Sequence, residues 1–376
     1  MKLYEYLAKE VFARRGIPVP RGGVASTPEE AEARAREVGG PVAVKSQVLA
    51  GGRGKAGGIT FADTPAQARE AAERLLGTEL KGLTIEKVLV EEKLAIRHEI
   101  YLGVAIDRSA RRPLIIASAK GGINIEEIPE EDIVRRTVDV AVGVEPFVGR
   151  EIVRRLGLDQ AVGKQVADIL ARLYKVFRAN DAELTEINPL VVVEGGRVIA
   201  ADGRLNVDDE ALYRHKELPY VEERTGLEKK IHDLGVSYVA LEGDIAVIAN
   251  GAGITMGTLD TLMYYGGRPA NFLDAGGGTG SDEMAAAISL LLETGPSAFL
   301  VNIFGGITRC DEVAKALIQA RQASGADVPF VIRLVGTNEA EGHRILRENG
   351  MEAFRSMAEA AQKVVALASS RASAAS

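Results

Sequence analysis

The run AGGRGKAGG, from Ala50 to Gly58, sets five glycines around Arg53 and Lys55 directly after the strand-like VAVKSQV of Val42–Val48. Glycine lets a backbone approach a ligand closely and leaves its N–H groups free to form an anion-binding concavity. Two cations in such a loop point to a polyphosphate. Two familiar phosphate motifs do not fit. Gly54-Lys55 is followed by Ala56 where a Walker A loop needs Ser or Thr, and Leu49 stands where its first glycine belongs. Gly52 to Gly57 spell GxGxxG, yet a dinucleotide fingerprint opens a helix, and here the strand-like GITFAD follows. Strand, glycine loop, strand describes a hairpin lid over phosphates. Lys45, ending the apolar strand before the loop, would reach a phosphate oxygen as a point charge.

A second constellation lies in ELTEINPLVVVEGGRVIAADGRL, which reads as a hairpin turning at Gly195-Gly196. A three-residue loop centred on Gly195 sets Asn188 directly opposite Asp202, with Cβ atoms about 4.5–5.5 Å apart. Glu186 shares that face through the strand period of two. A carboxylate, an amide oxygen and a second carboxylate make a hard-oxygen Mg²⁺ site left open to phosphates. Two alternatives stand beside it: a two-residue loop, which sets Asp202 opposite Pro189, and a merely solvated polar face. Glu91 and Glu99, on neighbouring strand-like segments, are placed to accept from an adenine or a ribose, although either alone reads as a surface charge.

From Asp244 onward the texture changes. DIAVIAN leads into GAGITMG, NFLDA into GGGTG, AFLVNIF into GGITR, and FVIRLVG into TNEAEG. Four strand–loop–helix units of this kind predict an open parallel sheet flanked by helices. Asn250 to Gly253, with Asp274 21 residues after Gly253, also resembles a dinucleotide fingerprint. Against that, Asp274 runs straight into AGGG, and a similar glycine turn recurs at Gly305-Gly306. Loops converging at the carboxyl ends of the strands would offer helix N-termini to carboxylate or phosphoryl groups. His98, His215, His232 and His343 include no metal-spaced pair and no partner for a nucleophile.

The elements that must hold these residues are legible. KLYEYLAKEVFARRG puts Leu3, Tyr6, Leu7 and Val11 on one helical face and stops at Gly16, and IPVP follows as an extended edge. Thr27-Pro28-Glu29-Glu30 and Thr64-Pro65-Ala66-Gln67 are matching helix starts. Strands are expected at Ile85–Glu91, Glu99–Ile106 and Leu114–Ala119, then a long helix from Asp159 to Ala179. The 376 residues suit two or three domains, and the charged stretch 210–243 reads as a linker. A net charge of −7 argues against a general nucleic-acid or membrane-surface binder. One cysteine, Cys310, excludes an internal disulfide framework. With no signal-like pattern and no apolar run near 18 residues, the expected location is the cytoplasm.

The stretches AGGRGKAGG, LTEINPLVV, ADGRL, NGAGITMGTLD, PANFLDAGGG and NIFGGITRCD occur in the order found in the β subunits of succinyl-CoA synthetase (succinate–CoA ligase), which the chain resembles over essentially its whole length. The resemblance implies an N-terminal ATP-grasp fold over residues 1–235 and a C-terminal flavodoxin-like open parallel sheet over 244–376, hence a mixed α/β and α+β protein. It implies nucleotide contacts at Lys45, Gly52, Arg53, Gly54, Glu91, Leu94 and Glu99, and Mg²⁺ on Asn188 and Asp202. It further implies substrate contacts at Asn250, Gly306, Ile307 and Thr308, and a catalytic Glu186 that meets a phosphohistidine. Leu94 stands where some relatives carry a polar nucleotide contact, and Leu49 where some carry His, so ATP/ADP and GTP/GDP both stay open. The resemblance implies an α subunit carrying the CoA site and the phosphorylated histidine. The implied reaction interconverts succinyl-CoA, phosphate and NDP with succinate, CoA and NTP. A malate–CoA ligase β subunit is the alternative.

Overall fold

The N-terminal run folds as α1 (Glu5–Arg14), and Leu7, Val11 and Phe12, with Leu3 just before it, enter the main core. IPVP forms no ladder, although the Pro18 carbonyl accepts Ala200 N–H at 2.8 Å. Next come β1 (Gly22–Ala25), α2 (Pro28–Val38), β2 (Val42–Ser46), β3 (Ile59–Ala62) and α3 (Pro65–Leu75). A two-residue hairpin, β4 (Glu79–Leu80) and β5 (Leu83–Thr84), precedes β6 (Val88–Glu92). Both helices start as their sequences specify. Thr27 Oγ1 accepts Glu30 N–H at 3.2 Å and Thr64 Oγ1 accepts Gln67 N–H at 3.3 Å. The Glu30 and Gln67 side chains in turn accept the N–H of Ser26 and Asp63, one residue before each cap. Caps of this type are worth about 1 kcal/mol each. The strands form an antiparallel sheet, β1-β6-β2-β3, and alanines of α2 and α3 pack on its Val42, Val44, Val88 and Val90. The glycine loop is the β2–β3 connection, closed where Ser46 N–H donates to Gly58 O at 2.8 Å.

The chain continues through β7 (Ile96–Asp107), β8 (Arg112–Ser118), β9 (Ile133–Thr137), α4 (Pro146–Arg155), α5 (Gln160–Ala179), β10 (Ala182–Val193), β11 (Val198–Ala200) and β12 (Arg204–Val207). The antiparallel order is β11-β10-β7-β8-β9, with β12 also on β10. Asp159 caps α5 by accepting from Ala161 and Val162 N–H. Val166, Leu170 and Leu173 of that helix pack with Ile100, Leu102, Ile187 and Leu190. The period of two therefore turns Glu99, Tyr101 and Gly103 to the other face. The hairpin register bears directly on the site: Leu190 faces Ala200, Val191 faces Ile199, and farther along Glu186 faces Arg204. The same phase on both sides sets Asn188 across from Asp202. These elements make up the first of two compact units, Met1–Glu223 and Arg224–Ser376; the structure, a computed structural model, describes residues 1–221, 226–325 and 327–375.

The second unit begins within the stretch expected as a charged linker, of which residues 222–225 lie outside the described ones. Here α6 (Gly226–His232) buries Ile231, and β13 (Ser237–Ala240) is an edge strand. The four expected strand–loop–helix units follow: β14 (Ile245–Ala249) with α7 (Ala252–Tyr264), β15 (Asn271–Asp274) with α8 (Ser281–Glu293), β16 (Ala298–Gly305) with α9 (Cys310–Ser324), and β17 (Phe330–Gly336) with α10 (Glu339–Glu348). β18 (Ala353–Phe354) and α11 (Met357–Ala375) complete it. The sheet runs β13-β15-β14-β16-β17-β18, parallel except for β13. From β15 onward this is the flavodoxin-like order 2-1-3-4-5, with its switch point between β14 and β16. Alternate residues feed two cores: Ala246 and Ile248 meet α8 and α9, whereas Ile245 and Val247 meet α7 and α11.

Gly336 ends β17 at φ +123°, and a Cβ there would lie 2.0 Å from Gly305 O on the neighbouring strand. Gly336→Ala is expected to destabilise this unit by about 2 kcal/mol or more. Urea unfolding followed by circular dichroism checks this, and an unchanged midpoint would contradict the packing described.

Candidate active site

A cleft of about 200 Å³ in the first unit is lined by Gly51, Gly52, Arg53, Glu186, Asn188 and Asp202, among others. The glycine loop therefore meets the β10–β12 hairpin, as phosphate and metal sites would require of each other. The loop's two cations part company. Lys55 points out to Glu127 at 2.9 Å, while Arg53 turns inward and is buried. Arg53 Nη2 donates to both Asp202 oxygens at 3.0 Å and lies 2.9 Å from Glu5 Oε2; Nη1 donates to Ser46 O. Gly54 is exposed on the loop beside it.

Behind the cleft lies a buried ionic cluster. Lys45 Nζ is 2.5 Å from Glu91 and 3.2 Å from Glu5, and donates to Ala201 O at 2.7 Å. Lys9 Nζ donates to both Glu91 oxygens, to Glu5 and again to Ala201 O. Burial on its own would strip Lys45 of its charge, but Glu5, Glu91 and Asp202 hold it protonated well above the ordinary lysine value. For Glu5 burial works the other way; Lys45, Lys9 and Arg53 overcome it and hold the carboxyl well below its usual range.

Asn188 is fixed by backbone on both sides of its amide: Oδ1 accepts Gly122 N–H at 2.8 Å and Nδ2 donates to Ile123 O at 2.9 Å. Gly122, at φ +73°, is packed so closely on Glu99 that a Cβ would sit 2.1 Å from its Oε2. Glu99 faces Val191 across the ladder, and Leu94 packs with Val191, Val193, Ile199 and Ala201, giving an apolar patch beside the ionic cluster. Glu186, opposite Gly103 and Arg204, has its carboxyl raised chiefly by burial, with Asp202 and Glu126 adding to it and Arg204 and Asn188 opposing. Tyr101 lies over Gly103, and its phenol is pushed up by burial and by the charge of Glu186.

Asn188 and Asp202 present an amide and a carboxylate oxygen, a fitting pair of hard donors for Mg²⁺. Among the described residues no group of three or more His, Cys, Asp or Glu is arranged to hold a metal. A cation here would draw on these few protein oxygens and complete its shell with phosphate and water, as Mg²⁺ commonly does.

In the second unit Asn250 spans the switch point. Its Nδ2 donates to Phe304 O at 3.0 Å and to Thr308 Oγ1 at 3.4 Å, and its Oδ1 accepts Phe304 N–H. Asp274 Oδ1 accepts from Gly251 and Gly276 N–H. It ties two glycine loops together, a structural job that accounts for the fingerprint-like spacing. A pocket of about 260 Å³ lies between the loop Gly277–Ser281 and Ile307–Thr308, where α8 and α9 begin without side-chain caps. Thr337 O takes up Cys310 N–H at 2.9 Å, and the remaining helix-start N–H groups would favour an anion. Gly306 is exposed and Ile307 is 85% exposed on the same loop, while Thr308 is buried.

Two family models match the chain: the ATP-grasp domain over residues 2–192 and the CoA-ligase domain over 248–367. The succinate–CoA ligase [ADP-forming] subunit beta of Herpetosiphon aurantiacus is 46% identical over 98% of this chain and all of that protein. Its namesake from Methanothermobacter thermautotrophicus is 49% identical, covering 98% of this chain and 99% of that one. The chain belongs to the succinate–CoA ligase β-subunit family. The fold extends further: an ATP citrate lyase structure from Methanothrix soehngenii superposes with a TM-score of 0.71 at 19% identity, covering 98% of this chain and 99% of that one.

For a succinate–CoA ligase β subunit, three residues at this site escape sequence reasoning. Glu5 and Lys9 read as an ordinary i, i+4 surface pair, yet both are buried. Tyr101 reads as one more strand residue; only the pairing of Glu186 with Gly103 shows what it covers. Cys310, buried at the start of α9, has its thiol pushed up to about 11 by burial, then by Glu339 and Asp311, and so is no nucleophile at neutral pH. Among the described residues no helix is long and apolar enough to cross a membrane.

Proposed function

We propose that this chain is the nucleotide-binding β subunit of an ADP-forming succinate–CoA ligase, acting with an α subunit that carries the CoA site and a transiently phosphorylated histidine. The observation that carries this reading is the single cleft in which the glycine loop, Glu186, Asn188 and Asp202 converge. The names of the relatives support ADP over GDP and succinate as the acid.

In this reading phosphate attacks the thioester of succinyl-CoA, releasing CoA and forming succinyl phosphate. The partner histidine takes the phosphoryl group, releasing succinate, and ADP then accepts it to become ATP. Lys45, Arg53 and the loop N–H groups of Gly52 and Gly54 position the phosphates, and the partly buried Leu94, backed by the core residues Val191 and Ile199, packs the base, with Glu91 and Glu99 nearby. Asn188 and Asp202 would hold Mg²⁺, which supplies positive charge to the phosphoryl oxygens. Glu186 accepts the imidazole N–H of the phosphorylated histidine, leaving the other ring nitrogen to carry the group. Asn250, Gly306, Ile307 and Thr308, with the bare starts of α8 and α9, bind the acid or phosphoryl moiety in the second unit.

The test supplies the complex with γ-labelled ATP or γ-labelled GTP and Mg²⁺. Label from ATP on an α-subunit histidine, discharged by succinate plus CoA, is the expected result. Label from GTP alone, or discharge by malate and not succinate, would overturn the specificity; no label would overturn the activity.

A further inference from the structure

Three buried cations, Lys9, Lys45 and Arg53, meet three carboxylates, Glu5, Glu91 and Asp202, so the cluster is already neutral without any ligand. Glu5 is the member that pairs with all three cations: 2.7 Å to Lys9, 3.2 Å to Lys45 and 2.9 Å to Arg53, with Gln47 Nε2 at 3.3 Å. Each of those cations has another acceptor. Lys9 and Lys45 have Glu91 and Ala201 O, and Arg53 has Asp202 and Ser46 O. Pairing alone therefore does not require Glu5. Yet it is 3% exposed and forms part of the cleft wall.

Resting on the nucleotide reading above, we propose that the Glu5 carboxylate is an internal counter-anion, standing in for phosphate on Lys45 and Arg53 and displaced from Arg53 when a nucleoside polyphosphate enters. Glu5 is anchored in the first turn of α1 by Lys9, whereas Arg53 rides on a loop flanked by Gly52 and Gly54. Arg53 is thus the partner that moves. As it turns to the phosphates it also releases both Asp202 oxygens, which links polyphosphate entry to the freeing of a metal donor. A fixed negative charge behind the phosphates weakens their binding, and so hastens release of the nucleotide product.

Isothermal titration calorimetry on the full chain, wild type and Glu5→Gln, with ADP, ATP and adenosine decides the matter. The variant is expected to bind ADP and ATP about tenfold or more tightly, a shift readable directly in Kd, with adenosine unchanged. A purely structural role predicts weaker binding. Unchanged or weaker ADP binding in the variant, or an equal gain for adenosine, overturns the assignment while leaving the nucleotide reading intact; a wild type that binds no nucleotide overturns both. If the glutamine variant does not fold, Glu5→Asp retains the Lys9 pair but retracts from Arg53. A smaller gain of the same sign is then expected, and a loss overturns the proposal.

Discussion

On the reading proposed above, Glu186→Gln is expected to slow phosphoryl transfer between nucleotide and partner histidine by about 10²–10³-fold, the usual worth of one preorganised hydrogen-bonding group, without loss of stability. The carboxylate sits at a fixed ladder position opposite Gly103 and Arg204 and lines the cleft beside Asn188 and Asp202. Burial raises its carboxyl above the ordinary 4.5, with Asp202 and Glu126 reinforcing the effect. The sign follows from linkage. A carboxyl with a raised folded value binds its proton more readily in the native state, so the ionised form opposes folding as pH rises past 4.5. Glutamine removes that penalty. The variant should therefore equal or exceed wild-type stability at pH 7, and its advantage should shrink as the pH is lowered toward 5. Quenched transfer of label, together with urea unfolding at both pH values, checks this. A variant that is inactive and also markedly less stable would make Glu186 a structural residue.

The hairpin and the parallel sheet were legible because each rests on a local rule. Gly195-Gly196 marks the turn and narrows the phase to two choices, of which the three-residue loop, with Asn188 across from Asp202, is the one the observed register follows. Each of the first four parallel strands is an apolar run leading into a glycine loop, a mark the two-residue β18 lacks, so the four strand–loop–helix units could be counted from the sequence. The order 2-1-3-4-5 could not, because nothing in one strand names its neighbour. The buried cluster was hidden for a related reason. Glu5 and Lys9 are spaced as a solvated helix pair is spaced, and what buries them comes from Lys45, Glu91 and Ala201, far away in sequence. Charge misled again at 210–243, where Lys229, Lys230 and His232 face outward while Ile231 is buried and β13 is an edge strand paired with β15.

The same cluster makes Lys45→Met a test of folding as well as of function. Breaking a buried ion pair from one side typically costs about 3–5 kcal/mol. Here the bereaved groups keep other donors: Glu91 retains Lys9 on both oxygens, Glu5 retains Lys9 and Arg53, and Ala201 O retains Lys9. The expected loss is therefore at the low end, about 3 kcal/mol. It should have a characteristic pH window. Lys45 is held charged well above the ordinary 10.5, so its contribution is fully present at neutral pH and fades only as pH rises beyond that value. Methionine also leaves the cluster with one excess negative charge, so nucleotide affinity should fall, opposite in sign to Glu5→Gln. Combining the two substitutions restores neutrality, and the double variant should regain part of both the stability and the affinity lost in Lys45→Met. Urea titrations and ADP binding on the four proteins of this cycle measure the coupling. A Lys45→Met protein with the wild-type midpoint, or a double variant with strictly additive effects, would mean that these charges do not act as one unit.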